Sequence, residues 1–393
     1  MNINDTLRSL QEQQVPSMPR FFDLTSAKDE EELARLITAG GVKSVIDDYE
    51  EQLRELFAIT DPSKVYAGKF EEEFQAYFKE YAANMPLFQR GKWVFFPWRA
   101  ALVHILPEED FCRVRTARNK LLITKAEQEK FHNASIGIAG LSVGSNIALA
   151  LTLQGGPKTI KLADMDRLAL SNTNRVLSGV DGLGQLKVEV TARKLYEINP
   201  YMHIQLFPEG LNKGNIADYF SGLDLVVDEL DNLAIKYLIR EYAQKQGIPV
   251  VMGADNGDNA VIDVERYDLN KKTPFFHGRL GDVSFESLSG LDKFGIGKTI
   301  TKHIGPENVT PRMQASLLEM GKKIVSWPQL GGAAMLNGVA IAYCVRKILN
   351  GQSVVADRSL ISVDALLDPE FDSETQRAER ANSSAAFKKL FGL

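Results

Sequence analysis

Cysteine is scarce in this 393-residue chain: Cys112 and Cys344 are the only two. Two thiols do not make a four-cysteine zinc site or a disulfide framework. A single bridge would fit the count, yet a reduced cytoplasmic protein is the simpler expectation. Excess positive charge is missing too. Lysine and arginine total 46 against 51 aspartates and glutamates, a net charge of −5 with histidine neutral. No global attraction to nucleic acid or anionic lipid follows from that balance, so neither is an expected partner. Long apolar runs are lacking as well. The longest, Gly331 to Val345, is interrupted by Asn337. It falls short of the roughly 20 residues that span a bilayer and reads as a buried helix. The opening residues, MNINDTLRSLQEQQ, have no apolar core and do not read as a signal peptide. No internal repeat is present. The remaining composition, 44% hydrophobic and 25% charged, is that of a soluble globular protein. Its length suits two or three domains.

Against that plain background one stretch stands out, Ser135 to Arg175. A short apolar run, Ile136 to Ala139, meets the small-residue turn Gly140-Leu141-Ser142-Val143-Gly144-Ser145. An apolar helix pattern runs from Asn146 to Leu153 and stops at Gly155-Gly156-Pro157. A second apolar run, Thr159 to Ala163, ends on Asp164 and Asp166. Strand, glycine turn, helix, strand, acid is the order of a mononucleotide-binding βαβ unit. Backbone N–H groups of such a turn approach a phosphate at the helix N-terminus, where the dipole favours anions. Gly140, Ser142 and Gly144 are the candidates for that contact, and Asp164 or Asp166 for a ribose hydroxyl. A strict G-x-G-x-x-G would need glycine at Ser142 and Ser145, so the turn alone also reads as a tight connection in an α/β core.

The flanking sequence fills in the architecture. From Lys28 to Tyr81 the pattern is helical, with Val42, Val45, Ile46, Tyr49, Leu53, Leu56 and Phe57 on one 3.6-residue face. The aromatics Phe70, Phe74, Tyr77, Phe78 and Tyr81 read as core. Trp93 to Leu106 reads as a strand, a turn at Pro97 and a short helix, with His104 structural. Arg113, Arg115, Arg118 and Lys120 are either a solvated basic face or cations aimed at a polyphosphate. A capping box of Thr124 with Glu127 starts a helix near Lys125. After Asp166, helices at Lys187–Ile198 and Leu233–Gln246 alternate with strands at Ile204–Phe207, Asp224–Val227, Pro249–Met252 and Val261–Tyr267. That alternation predicts a Rossmann-like α/β fold with a mostly parallel sheet and flanking helices, preceded by a smaller, mainly helical N-terminal domain. The expected domains are 1–112, an α/β nucleotide-binding domain at 113–269 with its completion at 328–367, a segment at 270–327 without clear period, and a polar tail at 368–393. Acids gather at strand ends, at Asp164, Asp166, Asp228 and Asp231, where open α/β sheets bind ligands.

Singly, these residues admit plain roles. Lys187 could face solvent, Asn172 and Asn174 could form turns, and Asp231 could cap a helix. Together they carry a resemblance. The string DMDRLALSNTNRV from Asp164, followed by GQLKVE from Gly184 and by Asp231-Asn232, resembles the ThiF/MoeB/HesA family of ubiquitin-activating-enzyme-like adenylyltransferases. The likeness is close from Arg115 to Gly253 and looser over Trp327–Leu349. It implies an ATP site that adenylates a carboxylate, usually on a peptide or small protein. By that likeness Asp164 holds the ribose, Asn172 and Arg175 contact phosphates, and Lys187 stabilises the transferring phosphoryl charge. Asp231 positions Mg²⁺ with Asn232 beside it, and Arg118 reaches the partner's ATP in a homodimer. Attack of one anion on another needs such cations more than it needs covalent chemistry.

Three departures shape the expectation. Val176 follows Arg175 where close relatives often carry glutamine, and Ser142 and Val143 stand where relatives have glycines. The family's paired zinc cysteines are missing, so no zinc is expected. Residues 232 to 327 hold no cysteine, so an enzyme thioester is not expected either. The favoured reading is adenylation of a peptide or small-protein carboxylate, in ribosomal-peptide maturation or in sulfur or cofactor transfer. The first domain would clamp the substrate. The alternatives are activation of a tRNA-borne carboxylate, as in a threonylcarbamoyladenosine dehydratase, and an NAD(P)-binding oxidoreductase, in which Arg175, Lys187 and Asp231 would have no task.

Overall fold

The computed structural model describes residues 2–11 and 15–393. The chain divides into two compact units. One holds residues 1–125 and 192–201, the other 126–191 and 202–393.

The first unit sets helices on a small sheet. Helices Ala27–Thr38, Tyr49–Thr60 and Phe70–Ala83 accompany four strands: β1 (Arg20–Phe22), β2 (Ser44–Asp47), β3 (Lys92–Phe96) and β4 (Ala101–Ile105). The sheet order is β1-β3-β4-β2, with β2 parallel to β4 and the other pairs antiparallel. The aromatic helix faces do form core: Phe74 is fully buried, with Phe57, Phe70, Tyr77 and Tyr81 packed around it. Two expectations are corrected here. Val45 and Ile46 do not extend the face of the helix that follows; they lie on β2 and are 59% and 50% exposed. An edge strand is held by its backbone ladder, so its side chains need not follow a buried face. The stretch after Pro97 is not a helix either. Pro97–Arg99 is one 3₁₀ turn, Ala100 takes φ 49°, and the chain returns as β4 against β3. His104 on β4 is structural. Its ring is stacked between Tyr49 and Trp93, at centroid distances of 4.1 and 4.3 Å. Its nitrogens bond Asp47 and the Arg90 carbonyl, at 2.9 and 2.7 Å.

The second unit is built on seven strands. They are β5 (Ser135–Ala139), β6 (Thr159–Ala163), β7 (His203–Phe207), β8 (Leu225–Asp228), β9 (Val250–Asn256), β10 (Asn259–Glu265) and β11 (Arg358–Ile361). Their order is β11-β10-β9-β8-β5-β6-β7. The five strands β7, β6, β5, β8 and β9 run parallel; β10 and β11 are antiparallel additions. From β5 the chain moves one way to β6 and β7, then returns to the other side at β8. That reversal leaves a crevice outside the carboxyl ends of β5 and β8.

Helix Gly331–Leu349 is long and apolar enough to cross a membrane by length and composition alone. Here it packs on helix Gly144–Leu153 and on β9, through Ala334, Asn337, Gly338 and Ile341. Gly338 is a required close approach, since a Cβ there would meet Asn146 at 3.0 Å. The expectation of a buried helix holds for that face only, because Met335, Val339 and Tyr343 are at least half exposed. Residues 270–327, which show no period, contain helices Phe285–Ser289, Lys293–Ile304 and Pro311–Leu318. The first two are short or broken in pattern by glycine, and each of the three begins at a side-chain cap, Ser284, Asp292 or Thr310.

Charged side chains are buried on β10. Arg358 grips Asp263 with a two-pronged contact at 2.7 and 2.6 Å, and His303 Nε2 lies 3.1 Å away. Burial alone would raise the Asp263 carboxyl, but His303 and Arg358 outweigh it and hold it far below the ordinary carboxylate range. A depressed folded value stabilises the protein above the unfolded value, near pH 4, and the contribution is lost as pH falls from there. Chemical denaturation at pH 7 and pH 2 should therefore show Asp263→Asn losing more stability at pH 7 than at pH 2. An equal loss at both values would assign the effect to packing instead.

Candidate active site

The crevice is assembled from the ends of β5, β6 and β8. After Ala139 the chain turns at Gly140, whose φ of 87° suits glycine. A Cβ there would come within 2.4 Å of the Glu229 carbonyl oxygen, so the turn can pass the end of β8 only as glycine. Gly144 opens the buried helix Gly144–Leu153, and no side chain caps its start. The N–H groups of an uncapped first turn are available to an anion.

Asp164, at the end of β6, is 7% exposed and braces this turn. Its Oδ2 accepts the Leu141 N–H at 2.7 Å and its Oδ1 the Asp166 N–H at 2.8 Å. Lys187, the first residue of helix Lys187–Ile198, is 6% exposed. Its Nζ lies 2.7 Å from Asp166 and 3.8 Å from Asp164. Burial raises the Asp164 carboxyl, and the Lys187 charge works against that rise. Arg175 is tied to the turn from the other side, with Nε donating to Ser142 Oγ at 2.7 Å. Asn146 holds the Arg175 carbonyl at 2.8 Å, which fixes the loop that carries the guanidinium. The structure thus brings Gly140, Ser142, Gly144, Asp164, Asp166, Arg175 and Lys187 to one crevice.

The other expected residues have local roles as well. Asn172 Oδ1 accepts the Ala169 N–H at 3.0 Å and caps its own 3₁₀ turn, Leu170–Asn172. Asn232, rather than Asp231, caps helix Leu233–Gln246, accepting from Ala234 and Ile235. Asp231 beside it is exposed at the end of β8. Arg118 is exposed on the short turn Ala117–Asn119 of the first unit. Asp228 is not a ligand group: it is fully buried and paired with Arg240 at 2.6 Å and Lys236 at 3.2 Å.

A model of the ThiF family matches residues 116–280, the span that holds the turn, Arg175, Lys187 and Asp231. The chain carries a ThiF-family domain over that span. Among its relatives, the uncharacterised protein MT1398 of Mycobacterium tuberculosis (strain CDC 1551 / Oshkosh) is 34% identical over 324 residues, covering 82% of this chain and 45% of that protein. A sulfur carrier protein adenylyltransferase of Thermus thermophilus is 28% identical over 155 residues, 39% of this chain and 55% of that one. A tRNA threonylcarbamoyladenosine dehydratase of Haemophilus influenzae is 32% identical over 149 residues, 37% of this chain and 56% of that one. The chain spans about half the length of these relatives.

The ThiF-family crevice also holds residues that the sequence reading passed over. Glu229 follows Asp228 directly, and its Oε1 accepts the Gly253 N–H at 2.7 Å. Asp255 sits near the end of β9, 7% exposed, and bonds Gln329 and Asn337 at 3.0 and 2.6 Å. The same rule of acids at strand ends, applied to every acid of D-E-L-D and to the strand after it, would have found both.

Proposed function

We propose that this chain activates a carboxylate by transferring AMP to it from ATP, giving an acyl-adenylate and pyrophosphate. The observation that carries the reading is the pairing of two cations with one braced phosphate turn. Arg175 is tied to the turn through Ser142, and Lys187 is buried at the acid pair Asp164 and Asp166. Both oxygens of Asp164 already accept backbone N–H groups, so this carboxylate is oriented before a ribose arrives. The attack joins two anions at the α-phosphorus. Fixed cations aimed at charge that develops in the transition state are the main protein contribution to such a step.

Mg²⁺ accompanies ATP in this reading and supplies charge neutralisation on the phosphates. It takes one or two carboxylates together with phosphate oxygens. Exposed Asp231 fits that role. No group of three or more histidine, cysteine, aspartate or glutamate side chains that could hold an ion alone occurs among the described residues. A cation here would therefore depend on the nucleotide. Burial pushes the Cys344 thiol up, which suits a bystander rather than a thioester-forming nucleophile.

The substrate in this proposal is the carboxylate of a peptide or small protein. The likeness to a sulfur carrier protein adenylyltransferase supports it. The likeness to a tRNA threonylcarbamoyladenosine dehydratase supports a second reading, a carboxylate on tRNA. Pyrophosphate exchange into ATP, run with a panel of free-carboxyl peptides, small proteins and tRNA, tests both. Exchange with a peptide or protein supports the first, exchange with tRNA the second. Tight ATP binding with no exchange would count against adenylation.

The proposal includes a homodimer in which Arg118 serves the partner's nucleotide. Mixing Arg118→Ala with Asp231→Ala subunits should then restore up to about a quarter of wild-type exchange, because one site in each mixed dimer keeps both residues. If the mixture stays as inactive as its parents, Arg118 acts within its own chain.

A further inference from the structure

The Arg175 guanidinium is held at two of its nitrogens and left open at the third. Nε donates to Ser142 Oγ at 2.7 Å, and Nη1 donates to Asn174 Oδ1 at 2.9 Å and to the Ser171 carbonyl at 3.3 Å. Arginine has five N–H donors, so three are engaged. Among the described residues the two on Nη2 have no hydrogen-bond partner.

Asn174 is itself anchored far along the chain. Its Nδ2 donates to the Gln329 carbonyl at 2.9 Å. These two contacts fix which way the amide points, since a flip would set N–H against N–H and C=O against C=O. Gln329 gives its own Nε2 to Asp255 Oδ2 at 3.0 Å, and Asn337 gives its Nδ2 to Asp255 Oδ1 at 2.6 Å. Both oxygens of this buried carboxylate therefore serve to hold Gln329 and Asn337. A continuous series of bonds runs from Asn337 through Asp255, Gln329 and Asn174 to Arg175.

Two close backbone approaches fix the same loop against helix Gly331–Leu349. A Cβ at Gly331 would come within 2.3 Å of the Asn174 carbonyl oxygen. A Cβ at Gly338 would meet Asn146 at 3.0 Å, and Asn146 holds the Arg175 carbonyl at 2.8 Å. Asp255 adds its charge, which works against the burial that disfavours the guanidinium ion. A long side chain loses rotamer freedom when it docks on a phosphate, and one already held loses less.

We propose that Asn174 and Gln329 are positioning residues, which aim the open Nη2 of Arg175 at the nucleotide phosphates, with Asp255 and Asn337 as the fixed end of the series. This rests on the adenylation reading for the task of Arg175 and adds what points it. It also gives the stretch after residues 270–327 a part in the site, since Gln329 and Gly331 are among its first residues.

The test uses the full chain with ¹⁵N-labelled arginine, first without ligand. The Arg175 Nε–H signal is assigned by its loss in Arg175→Lys. In Asn174→Ala and in Gln329→Ala that signal should move and its heteronuclear NOE should fall, while distant arginine signals stay in place. An unmoved signal in either folded variant overturns the role of that residue. Titration calorimetry with ATP and Mg²⁺ then completes a double-mutant cycle. Asn174→Ala should weaken ATP binding about fivefold in the wild-type background and less than about twofold in Arg175→Ala, because its effect passes through the arginine. An equal loss in both backgrounds overturns the assignment. Failure of the adenylation reading is read separately, as ATP binding without pyrophosphate exchange across the whole substrate panel.

Discussion

Lys187→Ala is expected to slow pyrophosphate exchange by about 10²–10³-fold, a loss of about 3–4 kcal/mol of transition-state stabilisation. The reason lies in its setting. The ammonium is 6% exposed and sits 2.7 Å from Asp166 and 3.8 Å from Asp164. A cation that acts on transferring phosphoryl charge should affect kcat more than the KM for ATP. The substitution also strips Asp164 of its countercharge, so some stability is lost with it. Asp166→Asn separates the two effects. It breaks the 2.7 Å pair while keeping the lysine, and its kcat should fall less than that of Lys187→Ala. Initial rates at saturating ATP check this. A Lys187→Ala enzyme with unchanged kcat would remove the residue from the reaction.

Arg240→Ala should be the most destabilising single change away from the crevice. Arg240 is fully buried, 2.6 Å from Asp228 and 2.8 Å from Glu265, with its guanidinium 4.0 Å from the Phe276 ring. Burial would raise the Asp228 carboxyl, but the charges and hydrogen bonds of Lys236 and Arg240 keep it low. Deleting the arginine leaves two buried carboxylates without their main partner, at a cost of about 3–5 kcal/mol. The loss should appear in thermal and urea unfolding of the pure protein. Replacing Asp228, Arg240 and Glu265 together by leucine and methionine should recover part of it, because no charge is then stranded. If the single change costs under about 1 kcal/mol, Asp228 has found another partner and the network is not what holds β8 to β10.

The parallel part of the second unit was legible because its signals are local. Thr159–Ala163, Lys187–Ile198 and Leu233–Gln246 have the bounds that the pattern predicts. Glycine and asparagine punctuation marks their ends, and apolar runs of strand length are unambiguous between helices. The edges were harder. Val45 and Ile46 have helical spacing but belong to an edge strand, where exposure is tolerated. The chain after Pro97 needed the left-handed Ala100 to become a hairpin, and nothing in an alanine announces φ 49°. At the site, Asp164 and Lys187 were readable from spacing, but their mutual contact was not. Asp228 and Asp231 look alike in D-E-L-D. Only the fold separates them, one against Arg240 inside the sheet and the other exposed beside the Asn232 cap. Asn337 depended on a contact between residues 82 apart, Asp255 and Asn337, which no local pattern carries.

The claim that ATP is split to place AMP on a carboxylate is tested most directly by following oxygen. A substrate that passes the exchange screen is prepared with ¹⁸O in its carboxyl group and turned over once with ATP and Mg²⁺, and the nucleotide is read by mass spectrometry. Acyl-adenylate chemistry predicts AMP and pyrophosphate, with one ¹⁸O in AMP after acyl transfer. ADP with ¹⁸O in inorganic phosphate would mean attack at the γ-phosphorus, and would contradict the account.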